Sequence, residues 1–194
     1  MSRTASVTRT TKETDIRVEL NLDGSANATA DTGIPFFDHM VQQLGKHAGW
    51  DLDVTCKGDL AVDGHHTVED VGIAIGQALS EALGDKAGVR RFASIVVPLD
   101  EAAVEVALDL SGRNFVVFDV PMPAETIGEF DTGLVEDFVR AFAQRADVTI
   151  HIHLRYGRSP HHVCEATFKG MAKALGDAVS LTGRAGVPST KGTL

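Results

Sequence analysis

Internal repetition is the strongest constraint on how this chain can fold. Residues 36 to 54, FFDHMVQQLGKHAGWDLDV, align with residues 134 to 152, LVEDFVRAFAQRADVTIHI, at an offset of 98. Further on, HHTVEDVGIAIGQALSEAL (65 to 83) aligns with HHVCEATFKGMAKALGDAV (161 to 179) at an offset of 96. Each unit reads helix, strand, loop, helix. One such unit cannot bury its own apolar helix faces, and a second copy supplies the missing surface. The chain is therefore expected to be α/β (α+β), with two pseudo-repeated βα halves about a common pseudo-twofold axis. The halves are taken as residues 1–90 and 91–194. No Pro/Gly/Ser-rich linker separates them, so one compact unit is expected.

Apolar alternation marks the strands. Ile16, Val18, Leu20 and Leu22 form one; Leu52, Val54 and Cys56 a second. Val104 to Leu110 and Val148 to Leu154 alternate in the same way. The runs FASIVVPL and NFVVFDV are expected to be more fully buried strands. Helical spacing follows Pro35 (Phe36/Phe37, Met40, Val41, Leu44) and runs from Val68 to Leu83, ending near Gly84. It recurs in Leu134, Val135, Phe138, Val139 and Phe142, and from about His161 through Met171 to Gly183. The opening MSRTASVTRTTKETD is polar and lacks an apolar signal core, so no secretion signal is expected and its Thr/Arg richness suggests a flexible arm.

Composition narrows the functional classes. A net charge of −9 argues against a phosphate-backbone binder, and so against nucleic acid as a partner. No run approaches the ~18 apolar residues of a membrane span. Cys56 and Cys164 lack any paired spacing and read as buried packing in a reduced cytosol. The chain is expected to be cytoplasmic.

The repeated His-His-x-x-Glu carries the chemistry. Neighbours on a helix point about 100° apart, whereas residues four apart stack on one face. His65 and Glu69 can therefore grip one ion together while His66 looks elsewhere; likewise His161 and Glu165, with His162 turned away. Two copies imply two metal sites, each taking an i, i+4 pair from one half and the odd histidine from the other. His39 aligns with Asp137 and adds a fourth donor to each. The sets are His39, His66, His161 and Glu165, and His65, Glu69, Asp137 and His162. Nitrogen and carboxylate donors without thiolate suit Mn, Fe or Zn. Glu does not directly follow the first His, so this is not the zincin pattern. His47, eight residues after His39, can line the same face. His151 and His153 lie on the polar side of a strand and read as surface or pocket wall.

Long segments in the right order resemble the imidazoleglycerol-phosphate dehydratase family: FFDHMVQQLGKHAGWDL, GDLAVDGHHTVEDVGIAIGQAL, GVRRFASIVVPLDEA, DLSGRNF, YGRSPHHVCEATFKGMAKAL and the ending GVPSTKGTL. The resemblance implies a ribosomal protein S5 domain 2-like fold and a 24-mer with metal sites at subunit interfaces. It also implies two Mn²⁺ ions per active site. The activity implied is a hydro-lyase of histidine biosynthesis, converting imidazole glycerol phosphate to imidazole acetol phosphate. Metal-bound imidazolate would expel the neighbouring hydroxyl through a diazafulvene-like intermediate that makes the C2 proton acidic. By resemblance Glu13 is the acid or base. Arg91, Arg113, Lys169, Ser189, Thr190 and Lys191 join it and His47 around the phosphorylated imidazole. Many members carry His where this chain has Asp137, so one site is expected to be richer in oxygen. The rival readings are another two-metal lyase or hydrolase acting on a phosphorylated heterocycle, and a metal-binding structural shell protein.

Overall fold

The computed structural model describes residues 3–194. The chain runs β1 (Thr4–Thr10), β2 (Thr14–Asn21), β3 (Ala28–Asp31), α1 (Pro35–Ala48), β4 (Asp51–Gly58) and α2 (His65–Leu83). It then runs β5 (Phe92–Leu99), β6 (Ala102–Asp109), β7 (Phe115–Asp119), β8 (Thr126–Ile127), β9 (Phe130–Asp131), α3 (Leu134–Ala146), β10 (Thr149–Tyr156) and α4 (Pro160–Val179). Two four-stranded sheets share one plan, β1-β2-β4-β3 and β5-β6-β10-β7. In each, the last pair is parallel and the others antiparallel. Among the described residues, the short β8–β9 hairpin has no counterpart in the first half.

The halves are joined through their helices. α2 lies on β1 and β2, α4 on β5 and β6, and the helices then pack across the repeat, α2 on α3 and α1 on α4. Sheets thus stand outside and helices inside, around one hydrophobic core rather than two. Phe138 shows the sharing: its ring meets Phe37 from the first half, and Phe142 and Phe168 from the second, at centroid distances of 5.6, 6.3 and 5.1 Å. All four rings are essentially inaccessible to solvent, and each contributes ~2–3 kcal/mol of burial.

Close approach of α2 to α3 depends on two missing side chains. A Cβ at Gly72 would lie 2.9 Å from the Phe138 carbonyl oxygen, and one at Gly76 2.4 Å from that of Phe142. A backbone oxygen cannot swing aside as a side chain does. Gly76→Ala is therefore expected to destabilise the fold by about 1–3 kcal/mol through overpacking. A urea midpoint at fixed protein concentration that matches wild type would contradict this.

Three expectations change. FASIVVPL and NFVVFDV are edge strands β5 and β7, half-open within a single chain, with Phe92, Val96 and Phe115 more than half exposed. Their apolar outer positions mimicked two-sided burial. The opening residues are not a loose arm: Thr4–Thr10 pairs along its whole length with β2, with Val7 buried beneath it. Its threonines are β-branched and suit the outer face of a sheet. The last helix stops at Val179, where Ser180 turns extended at φ −60° and ψ 141°. No helix among the described residues is long and apolar enough to cross a membrane.

Candidate active site

The two His-His motifs open α2 and α4, and local chemistry starts both helices there. Ser159 caps α4, its hydroxyl accepting from the His162 N–H, with Pro160 in the first turn where no N–H is needed. At α2 the Asp63 carboxylate accepts from the His65 N–H at 2.8 Å.

The packing of α1 on α4 brings His39 to the His161/Glu165 pair. His161 Nε2 is 3.0 Å from Glu165 Oε2, and His39 Nε2 is 3.7 Å from the same oxygen. Lys169, one turn on, reaches the other oxygen at 2.6 Å. Burial pushes the Glu165 carboxyl up, but the hydrogen bond and charge of Lys169, together with His161 and His39, outweigh it and the group stays below the usual glutamate range. His47, in the last turn of α1, lies near Lys169 and Lys173 of α4. Its burial, helped by Lys169 and Lys173, holds it below an ordinary histidine, hence neutral at pH 7.

The pseudo-equivalent packing of α2 on α3 builds the second group. His65 Nδ1 is 3.3 Å from Asp137 Oδ2, and its Nε2 is 3.9 Å from Glu69 Oε2. Repetition gives Ile73 where the first group has Lys169, so here two carboxylates face one imidazole with no lysine beside them. A cleft of about 830 Å³ opens alongside, lined by Ile34, Phe36, Phe130 and Leu134 together with His65 and Asp137.

His66 and His162 stand apart from both groups. His66 Nδ1 meets the Asp59 carboxylate at 3.0 Å, with Glu13 Oε1 3.8 Å from Nε2. His162 Nδ1 meets Glu101 Oε2 at 2.6 Å, with Asp100 Oδ2 3.6 Å from Nε2. The Asp59 and Glu101 hydrogen bonds raise His66 and His162 above the ordinary histidine range. Glu101, bonded to His162 and to backbone N–H groups, is pulled down to about 2. Glu13 is held by its hairpin. Thr14 Oγ1 and Arg9 Nη2 both donate to the buried Asp70 of α2, at 2.5 and 2.8 Å, and the Asp59 N–H donates to the Glu13 carbonyl at 3.0 Å.

The anion-binding candidates gather at the opposite end of α4. The Arg91 N–H bonds the Ala178 carbonyl. Its guanidinium grips Asp109 at 2.7 Å and the Pro188 carbonyl at 2.8 Å. Ser189, Thr190 and Lys191 follow directly along this tail, and Leu194 comes to rest against Gly112, next to Arg113. Along a helix rising 1.5 Å per residue, Ala178 lies about 25 Å from His161. Within one chain, Arg91 and the tail cannot touch the small molecule that the histidines would hold. Lys169 alone of these cations stands beside a donor group.

The residues fit a divalent cation by type and spacing. Cis donors on an octahedral ion at ~2.1 Å lie ~3 Å apart, and the His–carboxylate pairs stand at 3.0 to 3.9 Å. They remain open half-sites. Among the described residues, no group of three or more His, Cys, Asp or Glu side chains is arranged to hold an ion within one chain. Both cysteines are buried and free, with Cys56 pushed up to about 11 by burial and Cys164 higher still, so neither offers a thiolate. His153 Nδ1 lies 3.5 Å from Asp119 Oδ2 on the outer sheet face, and His151 sits beside Phe115; neither reaches the donor groups. Sequence reasoning missed Asp59, Asp100 and Glu101. Strand register offers one signal, because it makes Glu101 the repeat counterpart of Glu13.

Comparison with known proteins agrees along the whole chain. A family model described as imidazoleglycerol-phosphate dehydratase matches residues 32–175. A protein of that name from Pelotomaculum thermopropionicum is 52% identical over 99% of this chain and 98% of its own length. Another, from Jannaschia sp., is 54% identical over 99% of this chain and 100% of its own. The crystal structure of the Staphylococcus aureus enzyme superimposes with a TM-score of 0.84 at 36% identity, covering 92% of this chain and 99% of that one. The Pyrococcus furiosus enzyme, solved in complex with (S)-C348, gives 0.84 at 37% identity, over 97% and 100%.

Proposed function

Because the chain belongs to the imidazoleglycerol-phosphate dehydratase family, a family of hydro-lyases, we propose how its own residues dehydrate imidazole glycerol phosphate in cytoplasmic histidine biosynthesis. The observation that carries the reading is the split of each four-donor set. His39 and His161 both approach Glu165 while His66 is engaged elsewhere; Glu69 and Asp137 both approach His65 while His162 is engaged elsewhere. A neighbouring subunit supplies the absent histidine, so each site is completed only by self-assembly, for which the family resemblance implies a 24-mer.

His39, His161 and Glu165 with a neighbouring subunit's His66, and His65, Glu69 and Asp137 with a neighbouring subunit's His162, would hold two Mn²⁺ ions, whose positive charge would stabilise negative charge developing on the substrate's ring. The chain's own residues do the rest. Imidazole and carboxylate donors orient the ring. Glu13 moves the proton between C2 and the departing hydroxyl, so that water leaves and the enol becomes the ketone. Arg91, Arg113, Ser189, Thr190 and Lys191 of one subunit, with Lys169 of another, neutralise the phosphate dianion. His47, kept neutral, lines the groove between them.

Asp137 makes the two sites unequal. The His65, Glu69 and Asp137 group has two carboxylates, whereas Glu165 in the other is already half-neutralised by Lys169. The first therefore favours the harder, more tightly held cation. The test is turnover of imidazole glycerol phosphate by metal-stripped and Mn²⁺-restored assembly, read as ketone formation. Activity is expected only with metal. Absence of turnover in the restored assembly would sink the reading, and undiminished turnover after complete stripping would exclude the metal role.

A further inference from the structure

His66 and His162 each turn Nδ1 against a carboxylate and leave Nε2 facing outward. An ionised carboxylate only accepts, so each Nδ1 carries the hydrogen, and in the neutral ring that can ligate a metal the lone pair is left on Nε2. The two carboxylates come from different places in the repeat. Strand register aligns Glu13 with Glu101 and, past the bulge between Leu154 and Tyr156, Gly58 with Gly157, so that Asp59 corresponds to Arg158. Both glycines are crowded alike: a Cβ would lie 1.9 Å from Thr67 Oγ1 at Gly58 and 2.5 Å from Val163 Cγ2 at Gly157. The residue after this glycine is Asp59 in the first half and the exposed Arg158 in the second, so the second half has no carboxylate there.

Glu101 fills that role from the tight β5–β6 turn. Its Oε1 accepts from the N–H groups of Ser159 and Arg158, at 2.7 and 3.2 Å, which leaves Oε2 aimed at His162. The turn is strained to do this: Asp100 sits at φ 46°, a region few residues other than Gly adopt. In the first half Asp59 already occupies His66 Nδ1. Glu13, the counterpart of Glu101, stands instead on the Nε2 side of the ring.

Resting on the metal reading above, we propose that Asp59 and Glu101 are positioning residues that commit His66 and His162 to bind a divalent cation through Nε2. Asp59, by taking Nδ1, leaves Glu13 free for proton transfer. The duplicated halves thus divide between three carboxylates a task that strict symmetry would have given to two.

The two positioning carboxylates predict opposite responses to the same isosteric change. In Glu101→Gln the single amide oxygen is claimed by the two backbone N–H groups, and the NH₂ faces His162 Nδ1. That reverses the tautomer and puts the hydrogen on Nε2, where it blocks ligation. Asp59 makes no such backbone bonds, and both of its oxygens lie within 3.2 Å of His66 Nδ1. Asp59→Asn can therefore still present an oxygen. Calorimetric Mn²⁺ titration of the metal-stripped assembly should show Glu101→Gln and Asp59→Ala each weakening one class of site by ~10–100-fold. Asp59→Asn should stay within about threefold of wild type by the same reasoning, and the metal-free melting temperature of Glu101→Gln should match wild type. Wild-type affinity in both Glu101→Gln and Asp59→Ala would overturn the proposal. A wild-type protein that binds no Mn²⁺ would instead overturn the metal reading on which it stands.

Discussion

Glu13→Gln is expected to lower turnover by roughly 10²–10⁴-fold, the range contributed by a positioned acid or base, while substrate binding changes little. The replacement keeps shape and hydrogen-bonding capacity and removes only the ability to take up and release a proton. Little else should change, because the Glu13 side chain is 53% exposed and makes no hydrogen bond under 3.5 Å among the described residues. Its position is set by the backbone, through the Asp59 N–H on its carbonyl and the Thr11 hydroxyl on its own N–H. Single-turnover kinetics separate chemistry from product release, with KM as the control. A single-turnover rate equal to wild type would remove Glu13 from proton transfer. A raised KM with unchanged kcat would recast it as a binding residue.

The second large effect is a rescue. His66→Ala and Glu165→Ala each remove one donor of the same proposed set, and each should cost at least ~10²-fold in turnover, since loss of an outer-shell partner alone costs up to that much. If His66 of one subunit completes the group built around Glu165 of another, chains bearing the two lesions can complement each other. In an equal, randomly mixed assembly, about a quarter of these sites receive Glu165 from one parent and His66 from the other. Activity should rise from under ~1% in either parent to about that fraction in the mixture. Co-expression with two different affinity tags isolates the mixed assembly, and native mass confirms that both chains are present. A mixed assembly as inactive as its parents would mean that His66 and Glu165 act within one chain. The same assembly, stripped of metal, reports whether the ions also hold the subunits together.

These outcomes bear on how much a sequence of this kind reveals. The repeat, the alternating strands and the four helices were legible because each follows from a local period: two for a strand, three to four for a helix. The separation of His65 from His66, and of His161 from His162, was legible for the same reason, as consecutive helical residues diverge by about 100°. β1 was harder to see, because its threonines serve an outer sheet face and supply no apolar alternation. β3 is only four residues long and draws its stability from β4 beside it. The exposure of Phe92 and Phe115 was not legible either, since hydrophobicity records what a residue favours and not whether one chain alone can cover it.

The candidate site divides along the same line. Sequence alone determined that two pseudo-equivalent donor groups should exist, and that Asp137 makes one of them richer in carboxylate. It did so because donor identity and helical direction are local properties. Only tertiary structure decided which donors meet. It brought α1 to α4 and α2 to α3, turned His66 and His162 toward Asp59 and Glu101, and left Arg91 and the C-terminal tail about 25 Å from His161. Those distances depend on packing between segments far apart in the chain, and no local period encodes them. Arg158 is the sharpest case. Nothing local in the sequence marks it, yet strand register aligns it with Asp59, so the second half lacks a carboxylate there and Glu101 takes that place.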